Sequence, residues 1–416
     1  MVIYNLFLLL YRLLAICTAP FNGKVKHWVL GQNEVWNEIT GLAEKIQKPI
    51  IWVHCASYGE FEQGLPIIEN IKTQYPGYQI WLTFFSPSGY LHRKNDPFVD
   101  FVTYLPMDGA NNAKHFFDVV QPKLVIFIKY EFWFYYLSEA KKRNIPTLLV
   151  AAIFRPTQIF FKWYGSFYKK MLSLFYAILV QDENSRKLIS PIFPEQNIFI
   201  SGDTRFDRVL RTSKSSTHFD WLQKLNNAKI IIAGSTWEKD HILLSSLAEK
   251  YTDLNWIVVP HHVDSTSIQK CVSLFNNATT LTSFAASHQK FNNAKVIIVD
   301  QIGLLRNLYQ HAYITYIGGG FGAEGIHNVL EPAAFGKPVF WGPNDEKYIE
   351  ARGLVNAGGG FKIHDINSFS KTLELLLDQP EKYTKACESS ANFISKNAGA
   401  TQKTMEFIYE NRLLIN

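Results

Sequence analysis

From Pro49 onward, short apolar runs recur between stretches with helical spacing. PIIWVHCAS predicts a strand ending in a polar turn, and EFEQGLPIIENIKTQY the helix that follows it. QIWLTFFS, VDFVTYLP, KLVIFIKYEF and TLLVAAIF repeat the strand signal. Nearly continuous apolar strands separated by helices mean a parallel sheet covered on both faces, since a half-exposed strand would alternate. After FYAILVQD and NIFISGDTRFD the same grammar restarts at KIIIAGSTW and runs through NWIVVPHH, KVIIVDQ, AYITYIGGG and KPVFWGP. The break lies near Asp207–Asp220, where RVLRTSKSSTHFD is polar, charged and rich in Ser and Thr. The pattern predicts an α/β protein of two doubly wound, Rossmann-like domains facing a cleft. Ligands of such sheets bind outside the carboxyl ends of the strands, so the residues directly after each strand carry the chemistry.

The N-terminus breaks this pattern. Val2 to Phe21 is mostly apolar, with Asn5 and Arg12 inside it, and no charge precedes the run as a cleaved signal peptide requires. A spanning helix needs about 20 apolar residues, and a central Arg12 costs about 2.5–3.5 kcal/mol on insertion scales. A helix lying in the interface lets Arg12 snorkel, so residues 1–22 are expected to be membrane-associated; an ordinary buried first helix is the plainer alternative. Phe154 to Tyr176 mixes aromatics with Arg155, Lys162, Lys169 and Lys170, which suits a lipid headgroup surface or, more plainly, a partly exposed amphipathic helix.

Composition narrows the class. At 416 residues the chain exceeds one ordinary core. With 47% hydrophobic and 19% charged residues it is globular, and a net charge of +6 suits an anionic partner without naming one. The four cysteines, Cys17, Cys55, Cys271 and Cys387, are scattered, which argues against a zinc site or a disulfide framework.

The strongest local signal is YIGGGFGAEGIHNVLEP, Tyr316 to Pro332: a strand, then glycines, then a helix start carrying His327, Asn328 and Glu331. Free backbone N–H groups and a positive helix end bind anions, and glycines let a phosphate approach; Glu331 is placed to accept from ribose hydroxyls. The same glycines can simply make a tight turn. Gly318, Gly320 and Ala323 also fit G-x-G-x-x-A, but a dinucleotide site belongs in the first βαβ unit and no acid ends the next strand. No P-loop motif occurs. Ser57-Tyr58-Gly59-Glu60 follows the first strand, placing a carboxylate as a general base or as a glutamate that favours the helix dipole. Glu131 ends KLVIFI beside Lys129, as a catalytic group or a structural ion pair. Arg205 in GDTRFD can face an anion or pair with Asp203 or Asp207. His261 and His262 suggest metal, but adjacent residues rarely share an ion and no third ligand is spaced for it.

Together these residues resemble the 3-deoxy-D-manno-octulosonic acid (Kdo) transferases of lipopolysaccharide assembly. The resemblance runs from the first helix to about residue 390, on S-Y-G-E at Ser57–Glu60, Y-E-F-W at Tyr130–Trp133, G-D-T-R-F-D at Gly202–Asp207 and G-G-G-x(6)-H-N-V-L-E-P at Gly318–Pro332. It implies a GT-B fold and an enzyme on the cytoplasmic face of the inner membrane, transferring Kdo from CMP-Kdo to a lipid A precursor (lipid IVA) and releasing CMP. It implies Glu60 as general base, and Glu131 and Arg205 as transition-state stabilisers; lysine is usual at Arg205. For CMP it implies Pro260, His261, Ile302, Gly303, Leu304, Gly319, Gly320, Asn328, Val329, Leu330 and Glu331. His261 stands where the family has arginine, Leu304 where an acid is common and Val329 where proline is common, so the cytidine contacts depart more than the base does. The expected organisation is a helix over 1–22, an acceptor domain over 23–207, a CMP-sugar domain over 208–390, and a C-terminal helix over 391–416 that can cross back to the first domain. No metal, no cofactor and no nucleic-acid partner is expected. The alternatives are a GT-B enzyme using a UDP-sugar, an NAD-dependent Rossmann dehydrogenase, and a non-catalytic lipid-binding protein.

Overall fold

The computed structural model describes residues 2–215, 217–225, 229–286 and 296–415. Two compact units divide the chain: one runs up to Arg208 and takes in the residues from Ala398 on, the other is Val209–Asn397. The first holds β1 (Ile50–Cys55), β2 (Gln79–Phe84), β3 (Phe101–Tyr104), β4 (Pro122–Ile128), β5 (Thr147–Ala152), β6 (Ala177–Val180) and β7 (Ile198–Ile200). They form one sheet in the order β3-β2-β1-β4-β5-β6-β7, every neighbouring pair parallel. The second holds β8 (Ile230–Thr236), β9 (Asn255–Pro260), β10 (Ala278–Thr280), β11 (Val296–Ile298), β12 (Ile314–Ile317), β13 (Val339–Trp341) and β14 (Gly360–Lys362). Their order is β10-β11-β9-β8-β12-β13-β14, again all parallel.

Both sheets therefore reverse strand order once, between β1 and β4 and between β8 and β12. A crevice opens outside the carboxyl ends of the strands at such a point, because the flanking helices lie on opposite faces. β1 is buried along its whole length and β4 at all but Lys123, which accounts for their unbroken apolar sequence. β10 (Ala278–Thr280) and β14 (Gly360–Lys362) carried no strand signal in the sequence because neither is the apolar run that β11 and β13 form at the same length.

The polar stretch after Asp207 begins as helix, Thr204–Ser213. At the other end, helix Pro380–Asn397 belongs to the second unit, and helix Ala400–Glu410 packs Met405, Phe407 and Ile408 into the first core. Asp207 fastens that return: its carboxylate accepts from the backbone N–H of Gly399 (2.5 Å) and Thr401 (2.6 Å).

The first helix, Val2–Thr18, buries only Leu8 and Ala15 and exposes Val2, Ile3, Leu6, Phe7, Leu9, Leu10, Leu13, Leu14 and Ile16. That excludes the ordinary buried helix. No described helix is long and apolar enough to cross a membrane. Tyr4 ties the helix to the body, its hydroxyl donating to Asp108 (2.5 Å) and its ring meeting Phe134 and Phe167. The aromatic-basic segment is a 3₁₀ turn (Ile159–Phe161) and a short helix (Ser166–Leu172), with Trp163 94% exposed at the bend between them.

Candidate active site

In the first unit, β1 ends at Cys55 and Ser57 caps helix Tyr58–Gln74, placing Glu60 in its first turn. The positive helix end favours a carboxylate there, and the Ser57 hydroxyl donates to it. Glu131 follows β4, the strand beside β1, with its carboxylate 19% exposed. The buried Cys55 thiol is pushed up by desolvation and then by both Glu60 and Glu131, so both carboxylates act on the carboxyl end of β1. Tyr130, next to Glu131 in sequence and half-exposed, is pushed up by burial, pulled down by Arg155 and Arg205, and pushed back by Glu60 and Asp203. Glu60, Glu131 and Arg205 thus share one charged neighbourhood.

Arg205 is paired: Nε and the terminal guanidinium nitrogen donate to Asp203 at 2.8 and 2.7 Å, and its backbone N–H donates to the other carboxylate oxygen (2.9 Å). Asp207, the other partner considered, is occupied by Gly399 and Thr401. Glu131 faces His54, Nε2 to Oε2 3.3 Å, while the Lys129 ammonium lies over the Tyr130 ring. His54 escaped the sequence reading; its only signal was a polar residue inside an apolar strand.

In the glycine-rich turn of the second unit, two of the backbone N–H groups expected to face a phosphate are donated within the protein. Gly318 donates its N–H to the Gly234 carbonyl (2.9 Å), and Gly319 donates to the buried carboxylate of Asp240 (2.8 Å). Asp240 also accepts from the Trp237 N–H (2.8 Å) and the Tyr316 hydroxyl (2.5 Å). Burial raises its pKa against the pull of these three donors. A Cβ on Gly318 would press into the Ser235 carbonyl and Thr236 Cα, so glycine here serves close approach of two strands within the protein. Gly319 has φ +91°, the left-handed region.

The helix after the glycines is Leu330–Ala334, so Glu331 lies in its first turn while His327 and Asn328 precede it. Pro332 sets that start, since a longer helix would hold it in its interior, where a missing N–H breaks the ladder. Asn328 Oδ1 accepts from the Leu330 N–H (3.0 Å), and Val329 and Leu330 are buried. Glu331 is approached by Arg306 Nε at 3.4 Å. Ile302 is 84% exposed beside Gly303, and Leu304 caps a short helix.

Pro260 ends β9, and the His261 ring lies against both Trp237 (4.6 Å, 16°) and His327 (4.7 Å, 24°), whose own centroids are 6.4 Å apart. Trp237 Nε1 donates to His327 Nε2 (3.1 Å), leaving the proton of a neutral His327 on Nδ1. Burial lowers the pKa of both imidazoles, helped at His261 by His262 and at His327 by His261. A cavity of about 430 Å³ opens beside the stack, walled by Trp237, Pro260, His262 and Lys270. Gly320 is buried beside Gly319. Among the described residues no cluster of three His, Cys, Asp or Glu could hold a metal ion. The glycine turn follows the strand beyond the reversal, not the first strand of its sheet, which disfavours a dinucleotide site.

The backbone is similar to the UDP-GlcNAc 2-epimerase of Neisseria meningitidis (TM-score 0.60, 18% identity, covering 87% of this chain and 100% of that one). It is also similar to a glycosyltransferase of Rickettsia africae ESF-5 (TM-score 0.55, 15% identity, covering 88% and 99%). Two parallel-sheet Rossmann-like units of this kind are the GT-B class of fold. Residues 34–208 match the family model described as 3-Deoxy-D-manno-octulosonic-acid transferase (kdotransferase). The 3-deoxy-D-manno-octulosonic acid transferase of Aquifex aeolicus (strain VF5) is 31% identical over 337 residues, 79% of this chain and 86% of that protein. The chain belongs to the 3-deoxy-D-manno-octulosonic acid transferase family.

Proposed function

We propose that this chain transfers Kdo from CMP-Kdo to a lipid A precursor (lipid IVA), releasing CMP. The observation that carries the reading is Glu60: a carboxylate in a helix first turn at the strand-order reversal, beside Glu131 and the Arg205–Asp203 pair, in a chain of this family. The acceptor hydroxyl oxygen bonds to the anomeric carbon of Kdo as its proton passes to Glu60. The bond from that carbon to the CMP phosphate oxygen breaks, and CMP keeps the electron pair. Glu131 stabilises positive charge developing on the sugar, and Arg205 the negative charge on departing CMP. Pro260, His261, Ile302–Leu304, Gly319, Gly320 and Asn328–Glu331 hold the donor. Within the glycine turn, Gly318 and Gly319 act by shape, since their N–H groups are already donated. The displacement needs no metal and no cofactor.

The exposed apolar face of helix Val2–Thr18, together with the exposed Trp163, supports docking on the cytoplasmic face of the inner membrane, where the lipid acceptor resides.

Incubation with CMP-Kdo and a tetraacylated lipid A precursor, read by product mass, tests donor and acceptor together. An acceptor heavier by one or more Kdo residues is expected. No product with CMP-Kdo, together with calorimetric binding of UDP and not CMP, would replace the donor with a UDP-sugar. Leu6→Glu with Leu13→Glu should abolish flotation with anionic vesicles; unchanged flotation would remove the first helix from that role.

A further inference from the structure

The imidazole of His54 lies under Glu131, fully buried at the end of β1. Its register partner on β2 is Thr83, also fully buried, and their side chains meet at 2.8 Å between Nδ1 and Oγ1. The Trp52 indole N–H donates to the same Oγ1 (2.8 Å). On the other side of the ring, Nε2 has two neighbours: Glu131 Oε2 at 3.3 Å and the Trp133 indole nitrogen at 3.1 Å.

These groups do not all fit one proton arrangement. Both tryptophans only donate, an ionised Glu131 only accepts, and Thr83 has a single hydrogen. With the proton on Nδ1, His54 donates to Thr83 and accepts from Trp133, which leaves the buried Thr83 hydrogen without this acceptor and Glu131 facing a lone pair. With the proton on Nε2, the bonds run one way: Trp52 to Thr83, Thr83 to Nδ1, Nε2 to Glu131. That arrangement gives up the Trp133 N–H bond and requires that indole N–H to turn from Nε2 towards water, which its partly exposed position allows. An unmet donor costs more in the buried interior than at a wet edge.

We infer that His54 is a positioning residue for Glu131, held by Trp52 and Thr83 as the Nε2–H tautomer so that it donates to the Glu131 carboxylate and fixes its direction. The inference rests on the reading that Glu131 acts in sugar transfer. Glu131 also bears on Tyr11 of the first helix and on Cys55 of β1. Tyr11 is pushed up by burial and then Glu131, and Cys55 by burial and then the two carboxylates, so both stay neutral near pH 7.

Histidine ¹⁵N spectra of the full chain, with the His54 signals assigned by their loss in H54Q, read the tautomer directly. Nε2 protonated and Nδ1 bare is expected in the wild type; a protonated Nδ1 would overturn the inference. Kinetics supply the second arm. H54N cannot reach Glu131, so kcat should fall about tenfold or more with the CMP-Kdo KM within about threefold. H54Q, whose amide N–H extends to where Nε2 lies, should recover most of that loss. T83V removes the hydroxyl at nearly constant volume and should lower kcat in the same direction while the fold stays intact by melting. E131Q is measured alongside. E131Q impaired with H54N and T83V at the wild-type rate would remove His54 alone; E131Q at the wild-type rate would remove Glu131 from the chemistry, and the positioning with it.

Discussion

At the strand-order reversal of the first unit, formal charge collects: Glu60, Glu131, Arg205 and Asp203 act on one another or on a shared neighbour. At the same place in the second unit the polar groups are turned inward. Asp240 holds Tyr316, Gly319 and Trp237, and the histidines beside it are kept toward the neutral form by burial and by each other. One frame thus supports two kinds of site. The first gathers ionisable side chains, and the second presents a closely packed surface of backbone and rings. A glycine-rich turn after a strand does not by itself mean exposed donors, because a carboxylate on a neighbouring helix can consume them.

The largest effect that would break this contrast is at Glu60. Glu60→Gln should reduce transfer about 10²- to 10⁴-fold, with CMP binding by calorimetry unchanged; activity within about tenfold of wild type would return Glu60 to a helix-dipole role. Gly318→Ala should do the reverse. Its methyl meets the Ser235 and Thr236 backbone, so CMP binding should be lost and the second unit destabilised by about 1–3 kcal/mol. A normal calorimetric CMP isotherm for Gly318→Ala would show that the close approach is dispensable.

Smaller and opposite effects of pH separate the units further. Burial raises Asp108 from 3.8 to about 6, against donors from Tyr4, Tyr135 and Tyr136. The native state holds that proton more tightly than the unfolded chain, so its stabilisation is complete below about pH 4 and is lost as pH rises through about 6. Asp108→Asn should therefore gain on the wild type in melting temperature over that rise. Burial lowers His241 from 6.5 to about 4. Here the unfolded chain binds the proton more tightly, so stability falls as pH drops from about 6.5 towards 4, and His241→Gln should gain on the wild type in that direction. Each effect is bounded at about 3 kcal/mol. Two variants moving the same way with pH would refute the assignment of one or both groups.

The apolar runs and the polar residues that end them determined the two parallel sheets and put Glu60 and Glu131 at strand ends, since a strand buried on both faces must be apolar throughout. They also marked Val2–Phe21 as exceptional, an apolar run with Arg12 inside it, but only the structure showed that most of its apolar side chains are exposed and not buried. The direction of each hydrogen bond was decided by tertiary structure alone. Thr83 stands 29 positions from His54, and Asp240 79 positions from Gly319. A polar side chain within an apolar strand is silent about its partner until the register of the sheet brings that partner alongside. The glycine turn looked like a phosphate cradle because local sequence records which backbone N–H groups exist, while only the packed neighbours decide which of them remain to be used.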